Sequence, residues 1–283
     1  MKEENPQMEI APGVHNIEGV TGSNVVLLAD EQMVVVDTGL PGNGDTIVAY
    51  IKKIGRSASD LRWILLTHFH FDHSGSAAEL HDLTGAQIVT HKAETQPGPD
   101  GNLLLRKGDE GEAPPRWYRW AQRFADGNGG RRRPQAVRQF PDTPVHETMD
   151  DGDVIPCLEG LRIIHSPGHT PGSISPLLTG PEVLFLGDSV LNNVDRLSRP
   201  LMWDRSKRRQ LDASLHALRD LEADLACFGH GPPLTEDVMD KVRGLTDRPY
   251  DLPTWRIALK NWSTLRRWRS NTRRPGRWQG GGP

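Results

Sequence analysis

The stretch Thr67-His68-Phe69-His70-Phe71-Asp72-His73 follows the apolar run Trp63-Ile64-Leu65-Leu66 and places three histidines and one aspartate within six residues. Imidazole nitrogens bind borderline metals and a carboxylate adds charge, so the cluster offers more ligands than one ion can take from one side. Two adjacent metal ions are the simplest use of it. A surface turn gains nothing from such crowding, and a buried turn would have four polar groups in need of partners. The spacing is intelligible if residues 61–66 form a strand. His68 and His70 then lie two apart on an extended exit and point the same way, while Asp72 and His73 start a helix and point elsewhere.

Three further polar residues each follow a strand-like apolar segment. His169 lies in Ser166-Pro167-Gly168-His169-Thr170-Pro171-Gly172-Ser173, behind residues 161–164. Asp188 follows Val183-Leu184-Phe185-Leu186-Gly187, and His230 follows Leu225-Ala226-Cys227-Phe228-Gly229. Polar residues repeatedly placed at the carboxyl ends of buried strands are candidates for the rest of a metal site. Ser173 and Ser189 are near neighbours, but neither has a base partner that would make it a nucleophile.

These stretches, with Val36-Asp37-Thr38-Gly39 and Gly229-His230-Gly231, stand in the order of the metallo-β-lactamase-fold superfamily, which the chain resembles over roughly residues 12–235. The resemblance implies an α/β fold of the αββα four-layer type, with the ligands at one edge of the sandwich. It implies that His68, His70 and His169 hold one ion, that Asp72, His73 and His230 hold another, and that Asp188 bridges them. Asp37 is implied to stay off the metal and to orient a ligand imidazole by accepting its hydrogen bond; a cap after the strand is the alternative role. The expected cofactors are two divalent ions, zinc first, with iron or manganese as alternatives. In the implied mechanism a metal-bound hydroxide attacks a carbonyl carbon, the oxyanion is held by metal, and Asp72 also orients the hydroxide.

An aspartate at position 188 resembles the glyoxalase II-type thioesterases, lactonases and phosphodiesterases of the superfamily, whereas its true β-lactamases generally lack that carboxylate. The continuation Ser189-Val190-Leu191-Asn192-Asn193 lacks both the Gly-Arg-rich sequence of glyoxalase II and persulfide dioxygenases and the tyrosine of typical acyl-homoserine-lactone lactonases. The expectation is a dinuclear metal-dependent hydrolase acting on a small ester, thioester or lactone. The alternatives are a metal-dependent phosphodiesterase or nuclease, a mononuclear iron sulfur dioxygenase using His68, His70, His169 and Asp188, and a β-lactamase.

Positioning these residues calls for two similar halves. In the first, residues 14–17, 24–29 and 33–36 read as strands, residues 45–54 as a helix, 61–66 as a strand, the segment after His73 as a helix stopped by Gly85, and 88–90 as a strand. The second restarts near Asp150, with strands at 161, 173–178 and 183, and an amphipathic helix over 209–221 carrying Leu211, Leu215 and Leu218 on one face. Residues 1–245 make the catalytic domain. Within it, residues 95–145 form an insertion rich in glycine and proline that reads mostly as loop and is placed to act as a lid. A helix near residues 116–125 would carry Trp117, Trp120 and Phe124, and these, with Met202 and Trp203, form the expected apolar substrate wall.

The 283 residues suffice for one large core without disulfides, and the two cysteines, Cys157 and Cys227, read as buried reduced thiols of a cytoplasmic protein. No secretion signal and no run approaching about twenty apolar residues is present, so no membrane partner is expected. The small-molecule substrate is the expected partner. Residues 246–283 form a helix and a basic tail with Trp255, Trp262, Trp268 and Trp278 among arginines. Such a tail could contact nucleic acid through phosphates and stacking, but the net charge of −3 gives that little support, and a packed helix with a solvated end is the preferred reading.

Overall fold

Two β-sheets lie face to face, each with helices on its outer side, in a computed structural model of the chain that describes residues 9–108, 142–194, 196–248 and 250. The first sheet begins as an antiparallel meander, β1 (Glu9–Ala11), β2 (Val14–Asn16), β3 (Val26–Leu28) and β4 (Met33–Val36). It continues in parallel through β5 (Leu61–Leu65) and β6 (Gln87–His91). The crossovers carry helices α1 (Gly44–Lys53) and α3 (Ala77–Thr84), with the single turn α2 (Phe71–Ser74) between β5 and α3. Parallel neighbours require such crossovers, and a strand covered on both faces reads as a continuous apolar run, as Met33-Val34-Val35-Val36 does.

A three-stranded flap, β7 (Thr95–Pro97), β8 (Leu103–Leu105) and β9 (Pro144–Val145), opens and closes the insertion. Next, β10 (Glu147–Met149) pairs in parallel with β6. The second sheet runs β11 (Val154–Ile155), β12 (Leu161–Arg162), β13 (Leu177–Leu178), β14 (Val183–Phe185). After the hairpin β15 (Leu191–Asn192) and β16 (Leu197–Ser198) and helix α4 (Arg205–Leu218), β17 (Leu225–Cys227) adds in parallel to β14. Helix α5 (Val238–Thr246) closes the second outer layer.

The alternation of side chains along the strands divides the core. Val26, Leu28, Val34, Val36, Leu65 and Val89 point between the sheets to meet Ile155, Leu161, Leu178, Val183, Phe185 and Leu225. Their neighbours Leu27, Met33, Val35, Ile64 and Ile88 face outward onto Ile47 and Ile51 of α1 and Leu80 of α3. On the far side Leu184 and Ala226 receive Leu211, Leu215 and Leu218 of α4 and Val238 and Val242 of α5. Period-2 strands and amphipathic helices thus produce the αββα layering. Cys157 and Cys227 pack between the sheets, where burial pushes both thiols up to about 12. Among the described residues no helix is long and apolar enough to cross a membrane.

Several elements differ from the sequence expectation. The strand expected over 173–178 is reduced to Leu177–Leu178, joined to an isolated bridge between His165 and Ile174. Residues 147–149, just ahead of the expected restart at Asp150, form a strand without a sequence expectation and extend the first sheet along the free edge of β6. The β15–β16 hairpin and α5 are additional elements. Gly85 does end α3, in the left-handed conformation with φ of 76°. The expected helix near 116–125, with Trp117, Trp120 and Phe124, and the tail from 251 onward lie outside the described residues.

At the end of β6, His91 stacks on His165 with ring centroids 3.9 Å apart and planes 9° apart, tying the first sheet to the loop that leads to His169. Burial and the facing His165 lower the His91 pKa to about 4. Because the unfolded chain then binds more protons than the folded one, His91 contributes stability that is complete above its ordinary value near 6.5 and is lost as pH falls toward 4. His91→Asn keeps a side-chain acceptor for the Ala93 amide, which His91 caps at 3.2 Å. In metal-free protein this variant is expected to show a flatter dependence of the urea midpoint on pH across that window; an unchanged slope would assign the acid lability to other groups.

Candidate metal centre

The carboxyl ends of β4, β5, β12, β14 and β17 open onto one edge, and a polar loop leaves from each. Since β4 and β5 run in parallel with Val36 beside Leu65, Asp37 emerges next to Thr67. Since β14 and β17 run in parallel with Phe185 beside Cys227, Asp188 and His230 emerge together. The turn α2 is pinned by the Asp37 loop: Thr38 donates its amide (2.6 Å) and hydroxyl (2.9 Å) to the His73 carbonyl, and the Gly75 amide donates to Gly39.

On this edge the structure brings together His68, His70 and His169; His68, His73 and Asp188; and Asp72, His73 and His230, each trio with ligand atoms within 4.8 Å of one another. His70 Nδ1 lies 3.0 Å from both His68 Nε2 and His169 Nε2. His73 Nε2 is 3.3 Å from Asp188 Oδ1, and Asp188 Oδ2 is 3.6 Å from His169 Nε2 and 3.7 Å from His230 Nε2. His230 Nε2 also lies 3.3 Å from Asp72 Oδ2. Asp188 therefore faces both the all-histidine trio and the Asp72 trio. Gly229 permits this closeness, because a Cβ there would meet Asp188 Oδ1 and His73 Cε1.

Donor nitrogens about 2.0–2.1 Å from a tetrahedral ion sit roughly 3.3 Å from one another, close to the separations seen here. Among the described residues, His73 Nε2 and Asp188 Oδ1 are buried without a hydrogen-bond partner. Buried polar atoms left without a well-formed hydrogen bond in this way are costly unless a cation engages them. The donor set thus fits divalent metal.

The charge state differs between the trios. Burial and the neighbouring histidines depress His68 well below the usual range and His169 to about 3, so both are neutral with lone pairs available. Burial also opposes charge on His73, but Asp188 and Asp37 on either side raise its pKa well above the ordinary value. Burial works against ionisation of Asp188, yet His73 and His230 hold it well below the carboxylate range. Burial is likewise outweighed at Asp72, lowered by its bond to His230, and at His230, raised by Asp188 and Asp72.

Asp37 does not reach the cluster's centre. Its Oδ2 lies 2.8 Å from His73 Nδ1 and its Oδ1 accepts the Thr67 amide at 2.8 Å, which leaves His73 Nε2 aimed at Asp188. Its φ of 59° is one that aspartate tolerates. Three residues that hold the ligand loops were not singled out in the sequence. Thr67 bonds Asp37 and lies 3.1 Å from His68 Nδ1. Asn24 donates to the carbonyls of Phe228 and Gly231 on either side of His230. Glu94, fully buried, accepts from Phe69, Thr170 and Gly172. A polar residue just before the histidine cluster was a visible signal for Thr67; Asn24 and Glu94 carry none, since their partners are distant in the chain.

Of the expected substrate wall, Met202 packs into the core beneath α4 and is 7 % exposed, so it lines no open surface. Trp203 is half-buried, and its carbonyl accepts from Arg208. Ser173 Oγ accepts the Thr170 amide at 3.0 Å and lies 2.7 Å from the Thr170 hydroxyl.

The sequence profile of the metallo-beta-lactamase superfamily matches residues 19–230. The chain belongs to that superfamily. It is 26 % identical over 246 residues to the probable metallo-hydrolase YflN of Bacillus subtilis (strain 168), covering 80 % of this chain and 87 % of that protein. It is 33 % identical over 172 residues to the acyl-coenzyme A thioesterase MBLAC2 of Bos taurus, covering 56 % of this chain and 55 % of that one. The crystal structure of a metallo-beta-lactamase family protein from Thermus thermophilus superposes with a TM-score of 0.58 at 23 % identity, over 83 % of this chain and 79 % of that one. The αββα sandwich is the shared fold.

A proton on His73 must leave when Nε2 takes a metal, since Nδ1 keeps its bond to Asp37. Zinc affinity measured by chelator competition is therefore expected to rise about tenfold per pH unit for each proton displaced, between about pH 6 and 8. A pH-independent affinity would remove His73 from the ligand set.

Proposed function

We propose that this metallo-β-lactamase-fold hydrolase works with two divalent ions, most simply zinc, and cleaves a small acyl ester, thioester or lactone. The observation that carries the reading is the placement of Asp188 between the two trios, with one oxygen toward His73 and the other toward His169 and His230. The acyl-thioester choice is favoured by the relative named as an acyl-coenzyme A thioesterase. In this reading His68, His70 and His169 hold one ion, Asp72, His73 and His230 the other, and Asp188 both.

Such ions, when bound, acidify water and polarise the oxygen of a carbonyl. The chain's own residues divide the remaining work. Asp37 and Thr67 orient His73 and His68 from behind. Asp72 is the more open of the two carboxylates, 32 % exposed against 11 % for Asp188, and it is ionised. It is therefore the group placed to accept a proton or a water hydrogen bond on the substrate side. With Ser173 committed to Thr170, the acyl group is transferred to water directly.

Asp188→Ala tests the assignment. It is expected to leave a folded chain with reduced metal content, and to lower hydrolysis of an acyl thioester by more than the roughly 10–100-fold typical of losing an outer partner of a ligand. A variant retaining two ions and normal turnover would take Asp188 out of the site. A panel of acyl thioesters, lactones, β-lactams and phosphodiesters, assayed with zinc-, manganese- and iron-loaded protein, decides the substrate class; cleavage of phosphodiesters alone would replace the acyl reading by a nuclease.

A further inference from the structure

The short 3₁₀ turn Lys92–Glu94 follows β6, and because β6 lies in parallel beside β5, that turn ends next to the first histidine loop. Glu94 is completely buried there. Its Oε2 accepts the Phe69 amide at 2.6 Å, between His68 and His70. Its Oε1 accepts the Thr170 hydroxyl at 2.8 Å and the Gly172 amide at 2.5 Å, just beyond His169. One oxygen thus serves the loop of His68 and His70, and the other serves the loop of His169. A Cβ on Gly172 would sit 2.8 Å from Glu94 Cγ and Oε1, so that glycine makes room for the carboxylate.

We propose that Glu94 is the positioning residue that sets the distance between the two loops supplying the all-histidine trio, and hence the metal affinity of that site and not of its neighbour. The assignment rests on the reading of His68, His70 and His169 as ligands of one ion. A buried carboxylate is expensive unless its lone pairs are used, and three donors to one carboxylate, all from ligand loops, account for its retention. The two oxygens are fixed by a single carbon, so the spacing between Phe69 and Gly172 cannot drift independently of them. The Asp72 trio is held differently, its histidine His73 being oriented by Asp37. Glu94→Gln keeps the shape but turns an amide donor toward one of the three donors, which opens the clasp on one side.

Zinc affinity alone, without substrate, tests this on full-length chains reduced to one site. In a His230→Ala background, where His68, His70 and His169 remain, Glu94→Gln is expected to weaken zinc about 10–100-fold, the usual effect of losing an outer partner of a ligand. In a His70→Ala background, where Asp72, His73 and His230 remain, it is expected to change zinc affinity by less than about threefold. Equal weakening in both backgrounds, or none in the first, overturns the proposal. Should Glu94→Gln fail to fold, Thr170→Val, which removes one donor without changing shape, is judged by the same contrast. A parent chain that takes up no zinc at either site overturns the metal reading itself, which is a different result from a parent that binds two ions and a Glu94 variant that is indifferent.

Discussion

His70 Nδ1 stands 3.0 Å from both His68 Nε2 and His169 Nε2, so close that the three ring nitrogens must share either hydrogens or a cation. That convergence is the constraint around which the edge of the sandwich is built. The ligand loops leave different strands, and each is secured from behind by a group that takes no direct part: Thr67 and Asp37 under the first cluster, Asn24 under the His230 loop, Glu94 across to the His169 loop. Backbone amides and carbonyls of the loops supply most of the partners, so the loops are fixed by main-chain bonds that survive variation in their side chains. The apolar strands beneath supply the rigidity, because their inner and outer faces are both packed.

The two trios are electrically different, and the difference follows from what surrounds them. His68 and His169 are buried among other imidazoles, which disfavours protonation. His73 sits between two carboxylates, which favours it strongly. One half of the centre thus offers a cation neutral donors, while the other would have to release a proton to bind one. Asp188 is common to both, and His73 and His230 beside it hold its carboxyl well below the usual range. Asp37 backs His73 directly and His68 through Thr67, while Glu94 stands between the loops of His68 and His169.

The chemistry-bearing residues were legible because metal ligation needs particular side chains in dense local spacing, and His68, His70, Asp72 and His73 satisfy that within one turn and its approach. The strands before them were legible for the same local reason: Met33-Val34-Val35-Val36 and Trp63-Ile64-Leu65-Leu66 are apolar runs too short for helices. The second sheet was less so, because its strands are two or three residues long and owe their pairing to distant neighbours. Met202 shows the same limit at a single side chain, since whether an apolar residue lines a cleft or a core depends on what packs over it, and here that is α4.

By itself, then, the sequence determined the candidate donors of the first cluster and the alternation of strands and helices around them, because both are written in residue types at short separations. Only the tertiary structure decided which ligand atoms meet, that Asp188 faces both trios, and that Glu94 and Asn24 belong to the centre at all. Those facts depend on loops 76, 78, 204 and 207 residues apart being brought into hydrogen-bond contact, and no local pattern encodes such contacts.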